Sequence, residues 1–111
     1  MTNIHPLPPR PGSPIVAKPP RHLPVHEKRL WNKIVSAQRF EDPASLAALA
    51  AGMEAHARMR KCREQIDKDG ETVRNRFGEL RVHPLLTAER DARAAFLGCL
   101  KTLRLDLIGV A

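Results

Sequence analysis

The sequence predicts an all-α fold: a short helix, a long helix and a third helix, with a small β-hairpin between helices two and three. Three observations support this prediction. Apolar residues recur at the helical period in three segments. An N-cap signal and a glycine stop signal bound the longest of these segments. Between the second and third segments, a short stretch alternates apolar and polar residues around a glycine, which is typical of a hairpin.

A disordered, proline-rich tail is predicted to precede the helices and to cover residues 1–24. All but two of the ten prolines lie before residue 25. Because proline fixes φ, lacks a donor and restricts the residue before it, this stretch cannot form a helix. The tail holds Arg10, Lys18 and Arg21 and no acidic residue. It is therefore either a solvated leader or a flexible basic arm that follows DNA phosphates.

The first helix is predicted to begin near His26 and to end at about Arg39. Its apolar residues follow one stripe, and its basic residues lie on other faces. Trp31 belongs to this stripe, so we expect it to anchor the core. The full stripe consists of Leu30, Trp31, Ile34 and Val35.

The second helix is predicted to be long and to end at Asp69 and Gly70. Asp42 is a good N-cap, Pro43 fits the first helical position, and Gly70 suits a left-handed residue after the last turn. The N-terminal half is rich in alanine, which favours close packing against another helix. The C-terminal half is rich in arginine and lysine, so it forms either a solvated face or a face that contacts DNA.

The hairpin is predicted within residues 70–84, with Gly78 at its turn. Val73 and Phe77 alternate with polar residues, and Leu80 and Val82 return on the second strand. We therefore expect one apolar face and one basic face. Because an isolated two-stranded hairpin is barely stable in water, the apolar face should rest on a helix or on a neighbouring subunit.

The third helix is predicted to follow Pro84 and to run to about Leu105. His83 precedes this helix and is expected to cap it. The C-terminal sequence "LRLDLIGVA" is apolar for a chain end. We expect it to pack on the core or on a second chain.

The formal net charge of +7 favours an acidic partner, which is usually nucleic acid or an anionic membrane surface. The four aromatic residues are too few for the base-stacking platform of single-strand binders. No apolar run approaches the roughly 18 residues of a membrane span, and no lysine-rich amphipathic stripe occurs, so we expect no membrane partner. Cys62 and Cys99 lie far apart without a preceding signal peptide, which indicates reduced thiols in a cytoplasmic protein.

The motifs of common enzymes are missing from the sequence. No phosphate-binding loop, dinucleotide-binding glycine pattern or nucleophile elbow occurs. The five histidines are scattered, and neither cysteine has a Cys or His neighbour at metal-ligand spacing. We therefore expect no catalytic residue, no metal site and no cofactor.

The foldable part of the chain is small. Without the tail, roughly 85 residues remain, and a domain of this size buries only about 60–65% of its unfolded surface. Such a domain is marginally stable alone, and oligomerisation is a common remedy. Residues 25–111 are therefore expected to form a helical domain that gains stability from contacts between copies.

The order of these elements resembles that of a known family. After the proline-rich leader comes a helix with a tryptophan, "HEKRLWNKIV", and then a long helix that opens on Asp-Pro and ends in "IDKDG". A glycine-containing hairpin, "HPLL" at the start of a third helix and the leucine-rich end "LKTLRLDLIG" follow. Over about residues 23–109 the chain resembles the small subunit of tailed-phage DNA-packaging terminases. It departs from the family pattern at His83, where asparagine is usual, and at Arg104, where glycine is usual.

The resemblance implies a non-enzymatic protein that forms a homo-oligomeric ring. Such a protein would bind double-stranded DNA at the packaging site of the viral genome. It would deliver this DNA to the large terminase subunit, which carries the ATPase and the nuclease, and would modulate both activities. Residues 25–111 would then be the oligomerisation and DNA-recognition domain.

The clustering of cations predicts where DNA would be contacted. These cations lie on helix two, on the hairpin and on the arm: Arg58, Arg60, Lys61, Arg74, Arg76, Arg81, Arg10, Lys18 and Arg21. The apolar residues expected between copies are Leu46, Leu49, Met53, Phe77, Leu80, Leu103 and Leu105. The hairpin is thus either a clip between subunits or an element that faces DNA.

Two alternative functions stay open at this point. A small helix-turn-helix regulator needs a tight turn between helices one and two, which "AQRFEDPASL" could supply. Against it, "AALAAGM" offers few base-reading side chains near the start of the following helix. The other alternative is a helical adaptor protein with no nucleic-acid role, in which the positive charge serves solubility.

Overall fold

A computed structural model describes residues 17–38, Phe40 and residues 42–104. These residues form three helices and one two-stranded hairpin, which confirms the predicted fold class. In chain order the elements are α1 (Val25–Ala37), α2 (Pro43–Asp69), β1 (Thr72–Arg74), β2 (Leu80–Val82) and α3 (Leu85–Thr102). The predicted helix ends at Arg39 and Leu105 lie outside the described residues. Within the described part, no helix combines the length and the apolar character needed to cross a membrane.

The core lies between α1 and the first half of α2. Trp31, Ile34 and Val35 of α1 pack in one cluster with Leu49 and Met53 of α2, and all five side chains are buried. Trp31 is therefore the core anchor that the apolar stripe predicted. The half-buried Phe96 of α3 also packs against this cluster.

Residues 17–24, the described part of the predicted arm, pack against the helices. Leu23 is buried in the core, and its amide donates to the carbonyl oxygen of Pro20 in a turn. The indole N–H of Trp31 donates to the carbonyl oxygen of Ala17 at 3.0 Å. The disorder predicted up to residue 24 does not extend to this segment, because an apolar side chain and a backbone carbonyl of the segment find partners on the helices.

Both ends of α2 carry the predicted signals. The Asp42 carboxylate accepts hydrogen bonds from the amide and the hydroxyl of Ser45, each at 3.0 Å, and Pro43 fills the first helical position. Gly70 follows the last turn with φ 84° and ψ 161°. This differs from the left-handed helical conformation that the stop signal predicted, but it also lies in a region that essentially only glycine adopts.

Helices α2 and α3 approach each other closely at a glycine of α2. Gly52 of α2 faces Cys99 of α3, and a Cβ atom built on Gly52 would lie 2.8 Å from the Cys99 Cβ. Across the same contact, the Cys99 thiol donates to the carbonyl oxygen of Ala48 at 3.3 Å. Close packing by the alanine-rich half of α2 is thus confirmed.

The hairpin joins α2 to α3, and its register mixes apolar and basic residues on both faces. Antiparallel pairing places Val73 opposite Arg81 and Arg74 opposite Leu80. Because directly paired residues project from the same face of a hairpin, neither face is purely apolar. The predicted division into an apolar face and a basic face is therefore wrong.

Most of the apolar surface of the hairpin is exposed. The exposed fraction is 72% for Phe77, 63% for Leu80 and 69% for Val82, whereas Val73 is half-buried. Within the described residues these three side chains thus lack the helix support that the sequence predicted.

Candidate nucleic-acid interface

One candidate surface combines the packed arm with the middle of α2. The His22 ring nitrogen Nε2 lies 2.7 Å from the Glu54 carboxylate, which fastens the arm to α2. A cleft between the arm and α2 is lined by His22, Arg58 and Lys61 among others, and both cations are exposed. Because the arm packs here, the two cations predicted on α2 share this surface with the segment that carries Lys18 and Arg21, both exposed.

Arg60, unlike Arg58 and Lys61, has a structural role within the protein. Its Nε and Nη2 atoms each donate to a different oxygen of the Glu27 carboxylate at 2.7 Å. The His56 Nδ1 atom donates to the same carboxylate at 2.6 Å. Since Glu27 lies on α1 and both donors lie on α2, the three residues link the two helices. The guanidinium of Arg60 is thus engaged within the protein rather than presented to DNA as the sequence predicted.

The Glu27 carboxylate is fully buried and stays ionised. Burial alone would raise its pKa, but the hydrogen bonds and charges of Arg60 and His56 outweigh burial and lower the pKa to about 2. In turn, the hydrogen bond to Glu27 is the main cause that raises the pKa of the Arg60 guanidinium. A buried ion pair with this many hydrogen bonds fixes the position of α1 on α2.

His26, Glu27 and His56 bring potential metal-ligand atoms within 4.8 Å of one another in the described part of the chain. Both Glu27 oxygens, however, already accept hydrogen bonds from Arg60 and His56. The two imidazole rings are also stacked, with an interplanar angle of 5° and centroids 5.4 Å apart. A ring nitrogen binds a cation within the plane of its own ring. Because the two ring planes are stacked and nearly parallel, one cation cannot lie in both planes. The cluster is therefore a packed network, in which the edge of His56 also meets Phe96.

A second candidate surface is the tip of the hairpin, which is a rigid turn. The Asn75 side-chain oxygen accepts hydrogen bonds from the amides of Phe77 and Glu79, at 2.9 and 3.0 Å. The Gly78 amide donates to the carbonyl oxygen of Asn75, and Gly78 has a φ of 79°. A positive φ here requires glycine. Two strands, each with one arginine, thus meet at a well-fixed tip.

The three hairpin arginines are all exposed and lie close to this tip. Arg74 donates to the carbonyl oxygen of Gly78 at 2.7 Å, and the guanidinium of Arg76 lies 4.9 Å from the centroid of the Phe77 ring. Arg81 makes a 3.3 Å contact with Glu79. These contacts are exposed, so solvent screening keeps them weak and leaves the guanidinium groups available for other anions.

His83 connects the hairpin to both of its neighbouring helices. Its Nδ1 atom accepts a hydrogen bond from the Leu85 amide at 3.0 Å, which confirms the predicted cap on α3. Its Nε2 atom then carries the proton and donates to Asp69 at 2.8 Å, at the end of α2. The His83 amide donates to the carbonyl oxygen of Glu71. One buried side chain thus holds the hairpin base, and with it the direction in which the tip points.

The structure divides the apolar residues that the sequence assigned to a subunit interface. Leu49 and Met53 are fully buried in the core of their own chain, so the prediction that they line an interface is wrong for this conformation. Leu46 and Leu103 are half-buried against the same core. The exposed members of the set are Phe77 and Leu80, and Leu105 lies outside the described residues. Exposure of Val25 and Leu97 was not predicted.

The burial of Glu27 was not predicted, although the sequence carries a signal for it. Glu27 precedes Trp31 by four residues on α1, so it lies on the buried stripe one turn before the tryptophan. A carboxylate in that position needs a cationic partner on the facing helix. Arg60 and His56 lie one turn apart on α2 and satisfy this need.

Comparison with known proteins identifies one family. A family model described as phage terminase, small subunit, matches residues 28–107. No curated protein and no solved structure shows significant similarity to the chain. The match spans most of the chain, from α1 through the hairpin to beyond the end of α3. The chain therefore belongs to the phage terminase small subunit family.

Proposed function

We propose that the protein is the non-enzymatic small subunit of a viral DNA-packaging terminase. In this proposal its copies close into a ring in the host cytoplasm and bind the packaging site of the viral genome. The ring then recruits the large subunit and regulates its ATPase and nuclease. Membership of the small-subunit family supports the packaging role.

The observation that carries DNA binding is the set of exposed cations on two ordered surfaces. Arg58 and Lys61 lie beside the packed arm, and Arg74, Arg76 and Arg81 surround the hairpin tip. The chain as a whole carries a net charge of +7. A ring repeats each cation once per subunit, and phosphate contacts add, so modest clusters produce strong binding that falls steeply with salt.

Ring formation is proposed from the exposed apolar surface of a small domain. Leu80 and Val82 alternate along β2, so they project from one face, and both are mostly exposed. Burying such side chains against a neighbouring copy is favourable, and a small core leaves the single protomer marginal. A contact between β2 of one copy and a different surface of the next is heterologous, and such contacts form a ring when the rotation between successive copies closes. Leu46, Leu103 and Leu105 are kept as secondary members of this interface.

Native mass measurement of the full chain tests the ring. We expect a single species with more than four copies, and a double change of Leu80 and Val82 to serine should shift it to smaller species. A dimer that binds a palindromic site would instead support the helix-turn-helix alternative. A stable monomer that ignores duplex DNA even at low salt, yet captures a protein partner, would support the adaptor alternative.

Two further measurements address the large subunit and the absence of catalysis. Mixed with its cognate large subunit, the protein should co-purify with it and change its rate of ATP hydrolysis. The pure small subunit should hydrolyse neither ATP nor DNA. Hydrolysis by a preparation free of the large subunit would contradict a non-enzymatic role.

A further inference from the structure

Phe77 stands out from the other apolar side chains because of its position and its neighbours. It lies at the hairpin tip and is 72% exposed, the largest exposed fraction among the large apolar side chains in the described chain. The group stacked on its ring is the Arg76 guanidinium, 4.9 Å from the ring centroid. Phe77 was predicted to lie between subunits, but its position on a turn rather than on a strand face separates it from Leu80 and Val82.

The tip holds Phe77 in a fixed direction. The Phe77 amide is tied to the Asn75 side chain, and the turn is closed by the bond from the Gly78 amide to the Asn75 carbonyl. Arg74 reaches across the turn to the carbonyl oxygen of Gly78. At the base, the buried His83 fixes the hairpin to α2 and α3. A side chain on such a tip loses little conformational freedom when it enters a tight site.

We propose that Phe77 is a wedge that inserts between two base pairs of duplex DNA from the minor groove and bends the DNA. The proposal rests on the proposed DNA-binding function and adds the mode of contact. Arg74, Arg76 and Arg81 hold the phosphates on both sides of the insertion. Apolar wedges flanked by cations are how minor-groove architectural proteins unstack a base step and kink the duplex.

The surroundings of Phe77 favour DNA over a protein partner. Between residues 74 and 81 the hairpin carries three arginines and one acid, Glu79. A polyanion on both sides of the ring matches this excess of positive charge. Unstacking a base step costs free energy, and burial of the ring together with the arginine–phosphate contacts offsets this cost. Pyrimidine–purine steps are the ones most easily opened.

The test uses the full chain and a duplex of about 40 base pairs with 2-aminopurine at a central TpA step, which is a readily unstacked step. At low salt, the unchanged protein should raise the 2-aminopurine fluorescence and should bend the duplex in a circular-permutation gel. Phe77→Ala should lose both signals. It should bind about tenfold more weakly, a typical loss for one base-stacking side chain. The salt dependence of its binding should be unchanged because the arginines stay.

Two variants control the experiment. Leu97→Ala removes another large exposed side chain, on α3, and should keep the affinity, the fluorescence rise and the bend. Phe77→Leu should keep part of the fluorescence rise, because leucine is also used as a wedge. Native mass is measured for both Phe77 variants and should equal that of the unchanged protein.

Three results would overturn the wedge, and they are distinguishable. If the unchanged protein binds the duplex without a fluorescence rise and without a bend, the wedge is wrong while the DNA-binding role stands. If Phe77→Ala lowers the native mass, Phe77 holds copies of the protein together instead. If the unchanged protein does not bind duplex DNA at all, the wedge and the proposed DNA-binding function both fail.

Discussion

Glu27 is a charged residue at the centre of a helix–helix contact, and its environment explains why a charge is tolerated there. Its side chain is fully buried, and both carboxylate oxygens accept hydrogen bonds from Arg60 or His56. Removing the carboxylate leaves Arg60 and His56, which are largely shielded from solvent, without their main hydrogen-bond partner. The loss is therefore far larger than for an exposed ion pair.

Glu27→Gln should destabilise the fold by roughly 3 kcal/mol, because it leaves the partly buried Arg60 cation without its main counter-charge. Urea unfolding followed by circular dichroism measures this change. Glu64→Gln is the matched control, since Glu64 also faces Arg60, at 3.6 Å, but is largely exposed. Its effect should stay within about 0.5 kcal/mol. Equal effects of the two substitutions would contradict the structural role assigned to Glu27.

The Glu27 network also sets an acid limit on stability. The pKa of Glu27 is lowered from 4.5 to about 2 in the folded protein. A lowered folded pKa contributes stability that is fully present above the unfolded value and is lost as the pH falls toward the folded value. Stability should therefore decline between about pH 4.5 and 2, and Glu27→Gln should flatten that decline. Thermal midpoints of both proteins at several pH values in this window provide the measurement.

His83 offers a test of the cap at the start of α3. His83→Ala removes the acceptor for the Leu85 amide and the donor to Asp69, so it should cost about 1–2 kcal/mol. His83→Asn keeps a short acceptor at the capping position and should recover part of this loss. Chemical denaturation compares the three proteins. If asparagine is no better than alanine, capping is not what His83 contributes.

At the scale of elements, the closest helix contact depends on the absence of a side chain. Gly52 costs α2 helix propensity, but it lets Cys99 of α3 approach until an added Cβ atom would overlap. Gly98 on α3 is the opposite case, because nothing lies within 4 Å of the Cβ atom that a substitution would add. Two helix glycines thus differ only in what faces them.

Gly52→Ala should destabilise the protein by about 1–3 kcal/mol, because overpacking against Cys99 exceeds the gain in helix propensity. Gly98→Ala should stabilise it by about 0.5–1 kcal/mol, since propensity acts there alone. Unfolding midpoints give both values. A stabilising Gly52→Ala would show that α2 and α3 do not pack as closely as described.

Local signals predicted the elements well because they act over a few residues. The Asp42 cap, the Gly70 stop, the Trp31 stripe and the His83 cap each depend on near neighbours in sequence, and each was found. The hairpin was also located correctly. Its faces were not, because the strand register depends on which residues pair across the turn, and alternation within one strand does not specify it.

At the scale of the whole molecule, charge and assembly act together. The sequence grouped Arg58, Arg60 and Lys61 as one basic cluster. In the structure, however, Arg60 forms an ion pair with Glu27. Arg58 and Lys61 stay exposed beside the arm. A ring would multiply these two cations, so reversing them tests the proposed surface more sharply than reversing all three.

The double variant Arg58→Glu/Lys61→Glu should weaken duplex binding, because phosphate contacts are lost in every subunit. Gel shifts at several salt concentrations give the slope of log affinity against log salt. Each phosphate contact contributes about 0.9 to this slope. Loss of two contacts should therefore make the slope shallower by about 2 for each subunit that contacts the DNA. Arg90→Glu/Lys101→Glu changes the net charge equally on α3 and should alter the slope less. If both double variants change the slope equally, the effect comes from net charge alone and the proposed surface is wrong.

The sequence by itself determined the order, type and approximate ends of the elements, and the family resemblance that the family match supports. Only the tertiary structure decided which residues are available for function. It buried Leu49 and Met53, tied Arg60 to Glu27, packed residues 17–24 on the helices and left Phe77 exposed at a fixed tip. The physical reason is that caps and periodicity are properties of short segments, whereas burial and pairing depend on which surfaces meet when distant segments pack.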